Sequence, residues 1–295
     1  MAGGNKLDGG EEVTGSNATA IWKFASSMAS KMIGGMAGLA ITALTETPLL
    51  GRVVSNVLVQ TLEKVGTHVI ETKLGPRQKV RVGRAIAVAA LRMEKRMETG
   101  EKVRSDTFVQ LDREGRSSAD EAVESALFAA MNSAEEKKVD FIGALMTSIV
   151  LEPSISASDA QQMIETAQSL RYRAYVILKI ASEVSIHGWP TRGGENVEGP
   201  PANLYSLMAQ IYDMSQRGLI EMRDAPNDVS IYAVLSAEDI EPSKLQLTPL
   251  GRALYTNMEL QRIPEIDATY ASTVADLKAL SGYGRGPTGL NRREL

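Results

Sequence analysis

The chain of 295 residues contains no cysteine, only two histidines and few aromatic residues. The lack of cysteine excludes disulfides, thiolate metal sites and cysteine nucleophiles. The histidines, His68 and His187, lie far apart, and neither has a second histidine at ligand spacing on its own helix, so we predict no metal site. Aromatic residues make up 5% of the chain, which favours closely packed helices over a β-sandwich.

The common nucleotide-binding and hydrolase motifs are also absent from the sequence. There is no phosphate loop ending in Gly-Lys-Ser/Thr and no Gly-x-Ser-x-Gly. The glycines at 282, 284 and 286 follow no strand signal and open no helix, so they do not form a dinucleotide fingerprint. We therefore predict neither enzymatic activity nor a bound cofactor. The net charge of −4 provides no overall attraction to nucleic acid.

Long hydrophobic runs are missing as well. The longest charge-free apolar run lies between Lys31 and Glu46 and is shorter than the roughly 20 residues that a membrane-spanning helix needs. The N-terminal stretch is polar and acidic, so we do not expect a secretory signal. Because cysteine is also absent, we predict a cytoplasmic protein, with peripheral attachment to the inner membrane as an alternative.

Small residues recur every four positions in residues 25–44. On a helix, residues four apart share one face, so a row of small side chains lets another backbone come close. A second row of methionines with the same spacing forms an apolar ridge. We predict that this helix packs within protein, self-associates or docks on a membrane. The residues assigned to self-association or membrane docking are Ser26, Ser30, Gly34, Gly38, Met32 and Met36.

Proline, glycine and polar clusters divide the chain into six regions. Apolar residues at helical spacing predict helices over about 78–98, 118–131, 135–151, 158–169, 171–184, 203–217, 249–258 and 264–281. The second and fourth of these helices are predicted to begin at capping boxes, Ser118-Ala-Asp-Glu121 and Ser158-Asp-Ala-Gln161. The predicted regions are a flexible N terminus at 1–18, small-residue and amphipathic helices at 19–74, a central helical domain at 75–184, a Gly/Pro loop at 185–201, a winged-helix-like module at 202–260, and a C-terminal helix and flexible tail at 261–295.

The hydrophobic period changes after Gly218. Short segments at 219–224, 229–236 and 244–248 predict two or three small antiparallel strands, and Thr248 is placed to cap the helix that follows. The order helix, glycine turn, strands and helix is that of the second half of a winged helix. We therefore predict a mainly α fold, in which a helical bundle is followed by a winged-helix-like module with a small antiparallel β wing.

Acidic residues outnumber basic ones in this module. Residues 201–260 hold eight acidic and four basic residues, and the cations available for nucleic-acid contact are Arg217, Arg223 and Lys244. A protein that reads a DNA groove needs several cations to neutralise phosphates. The composition therefore favours a packing or protein-interaction role over DNA binding.

Basic residues are instead concentrated between Lys73 and Arg104. Such a concentration can contact anionic lipid or nucleic acid. The alternative, which we favour, is a solvated helix face paired with acidic neighbours. The residues assigned to this basic surface are Arg77, Lys79, Arg81, Arg84, Arg92, Lys95 and Arg96.

Three short motifs lie in residues 81–180. They are Gly100-Glu-x-x-Arg104-x-Asp106, Lys137-Lys138-x-x-x-x-Gly143-x-Leu145 and Ser169-Leu-x-Tyr172-Arg173. In these motifs the chain resembles a group of uncharacterised bacterial helical proteins. Its layout is also similar to that of abortive-infection alpha-type proteins, which join such helices to a winged-helix-like end. The resemblance implies a prokaryotic or phage-related cytoplasmic setting with a role in defence against phage, and it implies no catalytic residues.

Together these features lead us to expect a non-enzymatic effector or adaptor of a bacterial, phage-defence-type system. We expect a homo-oligomer or a complex with a partner protein, with an anionic membrane as a further partner and nucleic acid disfavoured. The alternative is a winged-helix DNA-binding transcriptional regulator.

Overall fold

A computed structural model of the protein describes residues 74–189, 202–223 and 240–282. Within these ranges the protein is mainly helical, with eight α-helices and one two-stranded antiparallel sheet. The chain divides into two compact units, one ending at Ser169 and the other beginning at Leu170. No helix in the described ranges combines the length and apolar composition that crossing a membrane requires. The small-residue rows at 26–42 lie outside the described residues.

The first unit contains four helices. Buried apolar residues at helical spacing on all four form its core, in agreement with the predicted helical spans. The first helix packs mainly on the third, and the second packs on the other three. The helices are α1 (Pro76–Glu98), α2 (Ser118–Met131), α3 (Val139–Leu151) and α4 (Ala157–Ser169), with single 3₁₀ turns at Thr107–Val109 and Glu136–Lys138.

Helices α1 and α3 cross closely because Gly143 has no side chain. A Cβ atom at this position would lie 2.7 Å from the carbonyl oxygen of Ala85 and 3.0 Å from Cβ of Val88. One turn further along α3, the Thr147 hydroxyl donates a hydrogen bond of 3.0 Å to the carbonyl oxygen of Ala89. Eleven of the 13 residues of α3 are buried, so this helix lies at the centre of the first unit.

Two helices of this unit begin at capping boxes, but not at the predicted serines. At α2, Ser117 Oγ accepts from the Asp120 amide at 3.1 Å and Asp120 Oδ2 accepts from the Ser117 amide at 3.0 Å. At α4, Ser156 Oγ accepts from the Asp159 amide at 3.1 Å. The prediction that the next serine along the chain opens each box is wrong. The reason is that an aspartate three residues after the cap completes the reciprocal bond.

The second unit contains four helices and the sheet. Its central helix, α5, packs on the other three helices and on the second strand. The helices are α5 (Tyr172–Ser182), α6 (Ala202–Gln216), α7 (Pro249–Asn257) and α8 (Ala268–Gly282), the strands are β1 (Ile220–Met222) and β2 (Leu245–Leu247), and single 3₁₀ turns lie at Val184–Ile186, Pro242–Lys244 and Leu260–Arg262.

The placement of α5 differs from the predicted domain organisation, which includes this helix in a central domain at 75–184. The structure groups it with the C-terminal elements. Arg173 pairs with Asp276 of α8 at 2.7 Å, and Lys179 Nζ donates to the carbonyl oxygen of Ile263 at 2.7 Å. These polar contacts and the burial of nine of its 11 residues tie α5 to the second unit.

The two strands pair in a single antiparallel register. Gly218, with φ of 66°, makes the turn before β1, as predicted for a position where glycine is favoured. The first and third predicted strand segments are confirmed in part, and the second, 229–236, lies outside the described residues. The facing residues are Ile220 with Leu247, Glu221 with Gln246, and Met222 with Leu245.

The start of α7 closes one end of the sheet. Thr248 Oγ1 accepts from the Gly251 amide at 3.1 Å, which confirms the predicted cap, and the Thr248 amide donates to the carbonyl oxygen of Leu219 at 3.2 Å. A Cβ atom on Gly251 would lie 1.9 Å from that same Leu219 oxygen, so only glycine fits there. Helix α6, the turn, both strands and α7 therefore follow the predicted order, while the winged-helix assignment itself stays a prediction.

Gly143→Ala should lower the free energy of unfolding by about 1–3 kcal/mol, because the added Cβ overpacks the crossing of α1 and α3. This loss should exceed the roughly 1 kcal/mol that alanine gains over glycine in helix propensity. Chemical denaturation followed by circular dichroism measures the change. Gly75→Ala is the matched control, because its Cβ would make only an ordinary contact of 3.5 Å with Gln78 Oε1. Equal stability of Gly143→Ala and wild type would contradict the close crossing.

Candidate functional site

Arg104 of the first motif holds the C-terminal end of α3. Its side chain is only 3% exposed and pairs with Asp106 at 2.6 Å. Nη1 donates to three carbonyl oxygens at and beyond the end of α3, the nearest being that of Ile155 at 2.8 Å. The guanidinium also lies 4.0 Å from the ring centroid of Phe108. A cation at a helix C terminus is favourable because the last carbonyl groups have no partner within the helix.

The other two motifs also consist of residues with packing roles. Lys138 Nζ donates to the carbonyl oxygen of Gln168 at the end of α4, at 2.9 Å, and burial lowers the pKa of this lysine. Gly143 makes the helix crossing described above. The Tyr172 hydroxyl lies 3.4 Å from a carboxylate oxygen of Asp267. Each of the three motifs therefore contributes contacts that stabilise its own unit.

Three of the seven residues assigned to the basic surface are paired with carboxylates inside the first unit. Arg84 binds its carboxylate in bidentate fashion; burial acts to lower the pKa of Arg84, but the bond and charge of that carboxylate outweigh this and raise it. Of the other four, two are exposed, Arg77 and Lys95, and two are half-buried, Lys79 and Arg92. The three pairs are Arg81 with Glu136, Arg84 with Asp140, and Arg96 with Glu101.

The three cations proposed for nucleic-acid contact lie at both ends of the sheet. Arg217, before the turn into β1, pairs with Asp213 at 2.8 Å. Arg223 and Lys244 lie together at the other end, where the Arg223 amide donates to the Lys244 carbonyl oxygen at 2.8 Å. Lys244 Nζ pairs with Glu241 at 3.0 Å. The structure thus brings two of the three together, and two of the three already have carboxylate partners.

A pocket of about 400 Å³ lies in the second unit, between the Val184–Ile186 turn and α8. Its volume is at the lower end of the range for ligand pockets, roughly 300–1,000 Å³. Ile186 is 69% exposed at its edge, and Ile266, next to a lining residue in the chain, is 93% exposed. The lining residues are Ile186, His187, Glu265, Tyr270, Ala271 and Val274.

Two rings, His187 and Tyr270, line this pocket, and the ring of Trp189 lies behind His187. The Tyr270 hydroxyl lies 3.5 Å from His187 Nε2, and the two ring centroids are 6.1 Å apart. The Trp189 ring contacts His187 edge to face, with centroids 5.5 Å apart, and its indole N–H donates to the Val184 carbonyl oxygen at 2.6 Å. The indole bond fixes Trp189, which in turn supports the imidazole that lines the pocket.

A buried lysine, Lys179, and a half-buried glutamate, Glu183, lie beside the Tyr270 ring. Lys179 Nζ is 5.1 Å from the ring centroid and donates to the carbonyl oxygen of Ile263. It is 3.9 Å from the nearer carboxylate oxygen of Glu183. The second oxygen, Oε2, is buried. The Ile263 carbonyl oxygen and the Glu183 carboxylate thus offset the charge of Lys179 inside the unit.

The surroundings of the pocket keep its two titratable rings uncharged at neutral pH. Burial, and then the positive charge of Lys278, lower the pKa of His187. Burial and the carboxylates of Glu183 and Glu265 raise the pKa of Tyr270 to about 12. Burial also raises the pKa of Glu183 itself. Among the six lining residues, Glu265 is consequently the one that carries a full charge.

Sequence reasoning missed this site. His187 and Tyr270 are 83 positions apart, so no local spacing connects them. The signal in the sequence was the presence of His187 and Trp189, two positions apart, at the start of the predicted Gly/Pro loop at 185–201. Within residues 74–189, 202–223 and 240–282 no group of three or more histidine or acidic side chains is arranged to hold a metal ion.

No protein-family model matches the chain, no curated protein matches it, and no solved structure matches it. The resemblance carried by the three motifs therefore stays a prediction. The interpretation of the pocket rests on its own geometry and chemistry.

Arg104→Ala should lower the free energy of unfolding by about 3–5 kcal/mol, because it leaves buried carbonyl oxygens and the Asp106 carboxylate without their donor. Arg116→Ala is the matched control. It removes an arginine whose ion pair with Glu124 is at the surface, so little change is expected. Urea denaturation of both variants makes the comparison, and similar losses in the two would show that Arg104 has no special role.

The Arg104–Asp106 pair should also contribute to acid sensitivity. Hydrogen bonding from Arg104 holds the pKa of Asp106 below its ordinary value. Its contribution to stability is therefore present above the unfolded-state pKa of about 4 and is lost as pH falls through the folded-state value. Asp106→Asn should flatten the decline of the melting temperature between about pH 5 and pH 2. Parallel declines in wild type and variant would contradict this coupling.

Proposed function

We propose that the protein is a non-enzymatic adaptor or effector that binds a partner protein through the pocket of its second unit. The observation that carries this proposal is a ligand-sized pocket lined by the exposed Ile186, with a second exposed apolar residue, Ile266, next to the lining residue Glu265 in the chain. Single exposed apolar residues are ordinary on protein surfaces. Two of them beside one aromatic-walled pocket are typical of a surface that a macromolecule covers.

The protonation states in the pocket support binding over catalysis. A tyrosine with a pKa of about 12 keeps its proton at neutral pH and is a poor nucleophile. Its hydroxyl lies 3.5 Å from His187 Nε2, beyond the distance of roughly 2.6–3.2 Å that direct proton transfer needs. These groups are well suited to accepting or donating hydrogen bonds to a bound partner.

The N-terminal segment provides the second part of the proposal. We propose that the small-residue row at 26–42 mediates self-association or docking on an anionic membrane, so that the second unit recruits a partner to that assembly. The support is the four-residue spacing of Ser26, Ser30, Gly34 and Gly38. A cytoplasmic, phage-defence-type setting in bacteria is part of this proposal and is supported by the resemblance in residues 81–180 alone.

A second candidate function is a winged-helix DNA-binding regulator. The order of α6, the Gly218 turn, β1, β2 and α7 favours it. The carboxylates of Asp213 and Glu241 weigh against it, because they already pair with Arg217 and Lys244. Phosphate binding by these cations would first have to break both pairs.

Gly34→Leu combined with Gly38→Leu should abolish the assembly, because leucine at both positions prevents close approach of another backbone. Sedimentation velocity of the full chain measures its mass, and flotation with phosphatidylglycerol vesicles measures membrane docking. If the row mediates self-association, the wild type should be oligomeric and the double variant monomeric. Flotation of the wild type tests membrane docking by itself, since leucine adds apolar surface and does not weaken docking. Gly35→Leu, one position off the row, is the control and should behave as wild type. A monomeric wild type that does not float would exclude this part of the proposal.

Binding of a DNA duplex by the full chain, followed by fluorescence anisotropy over a range of salt concentrations, tests the second candidate. We expect weak binding that does not change when Arg217, Arg223 and Lys244 are all replaced by alanine. Arg252→Ala, at an exposed position of α7, is the control. Affinity that falls steeply with salt and is lost in the triple variant but not in the control would establish the regulator instead.

A further inference from the structure

We propose that the pocket binds the side chain of one basic residue, preferentially an arginine, presented by the partner protein. This inference rests on the proposed adaptor function, since it names the chemistry by which the same pocket recognises its partner. It follows from the charges, the hydrogen-bonding groups and the apolar part of the pocket wall.

The charge of the pocket wall is negative. Glu265 is the charged residue among the six lining residues, and the imidazole of His187 is neutral. Lys179 is not available to a ligand, because it is buried and bonded to the carbonyl oxygen of Ile263. Lys278, the other nearby cation, is exposed and does not line the pocket, although its charge acts on His187 more strongly than the carboxylate of Glu265 does. An anionic ligand would therefore meet a carboxylate, and a cationic one would meet its counter-charge.

The hydrogen-bonding groups of the wall also suit a donor. A carboxylate accepts hydrogen bonds only, and a neutral imidazole has one unprotonated nitrogen that accepts. A guanidinium offers five N–H groups in a planar fork and no acceptor, so it matches this set. An ammonium offers three donors and is the second choice.

The remaining lining residues suit the stem of such a side chain. Ile186, Ala271 and Val274 are apolar, and the pocket of about 400 Å³ holds one long side chain. Arginine and lysine combine an apolar stem with a charged end. A pocket with both an apolar part and an acceptor part thus matches one basic side chain better than it matches a wholly polar or wholly apolar group.

The surroundings of the pocket favour a protein partner over a free amine. Ile186 and Ile266 present apolar surface at and beyond the edge of the pocket. A small amine would leave this surface in water, whereas residues flanking a basic side chain in a polypeptide would cover it. We therefore assign the occupant to a polypeptide with apolar residues near its arginine.

The test uses the full chain and the peptide Ac-Leu-Ala-Arg-Ala-Leu-NH2, with matched peptides carrying glutamine or glutamate in place of arginine. Because the chain has only two histidines, the ring protons of His187 are a resolved NMR probe, assigned with His187→Gln. The arginine peptide should shift these signals with a dissociation constant of roughly millimolar or tighter. Its affinity should be about tenfold higher than that of the glutamine peptide. The bound cation should also lower the pKa of His187 further.

Two substitutions that remove charges of opposite sign should change the affinity for the arginine peptide in opposite directions. Glu265→Gln should weaken binding of the arginine peptide several-fold, because it removes the counter-charge, and Lys278→Gln should strengthen it, because it removes a repelling cation. Glu221→Gln, at an exposed position of β1 outside the pocket, is the matched control and should leave the affinity unchanged.

The unfavourable outcomes separate this inference from the adaptor proposal. Equal affinity for the arginine and glutamine peptides would overturn the assignment of a basic side chain to the pocket. The pocket would then be a site for an apolar part of the partner. Preference for the glutamate peptide would overturn it in favour of an anionic partner. Absence of any shift at 5 mM peptide would overturn it too, and the sedimentation and flotation results would then decide whether the rest of the adaptor proposal stands.

Discussion

Buried cations bonded to main-chain carbonyl oxygens stabilise each of the two units internally. Arg104 binds the end of α3, Lys138 binds the end of α4, and Lys179 binds the carbonyl oxygen of Ile263. The last carbonyl groups of a helix or turn have no partner within it, and burying them unpaired would cost several kcal/mol. In each case a long side chain from a sequence-distant element provides the missing donor. Tertiary packing and helix termination are therefore set by the same side chains.

The same interaction shapes the candidate site. Lys179 anchors Ile263 to α5, and two residues later the chain reaches Glu265 at the pocket. Lys179 also lies against Tyr270 and beside Glu183, so one ammonium group organises the aromatic wall and its buried carboxylate. A buried lysine of this kind is retained only when its charge is compensated, and here carbonyl oxygens and a carboxylate provide that compensation. The pocket is thus a direct consequence of how α5 is fixed in its unit.

Local sequence patterns were enough to predict the helices but not their partners. The helical spans, the Gly218 turn and the Thr248 cap follow from period and from single residues, and each is present. The capping boxes were misplaced because either of two neighbouring serines satisfies the motif and only the aspartate geometry chooses between them. Helix α5 is buried on nearly all sides, so its apolar residues do not mark a single buried face. The sequence pattern therefore could not reveal which unit this helix joins. The pocket joins residues whose separation in sequence leaves no local trace, so it could be found only from the fold.

The closed end of the sheet has a consequence for how this protein can vary. Thr248 and Gly251 fix the base of the two strands against Leu219, independently of what joins the strands at their other end. The 16 residues from 224 to 239 make that connection. None of these contacts at the base involves this stretch, so we expect the base of the sheet to withstand insertions and deletions between the two strands.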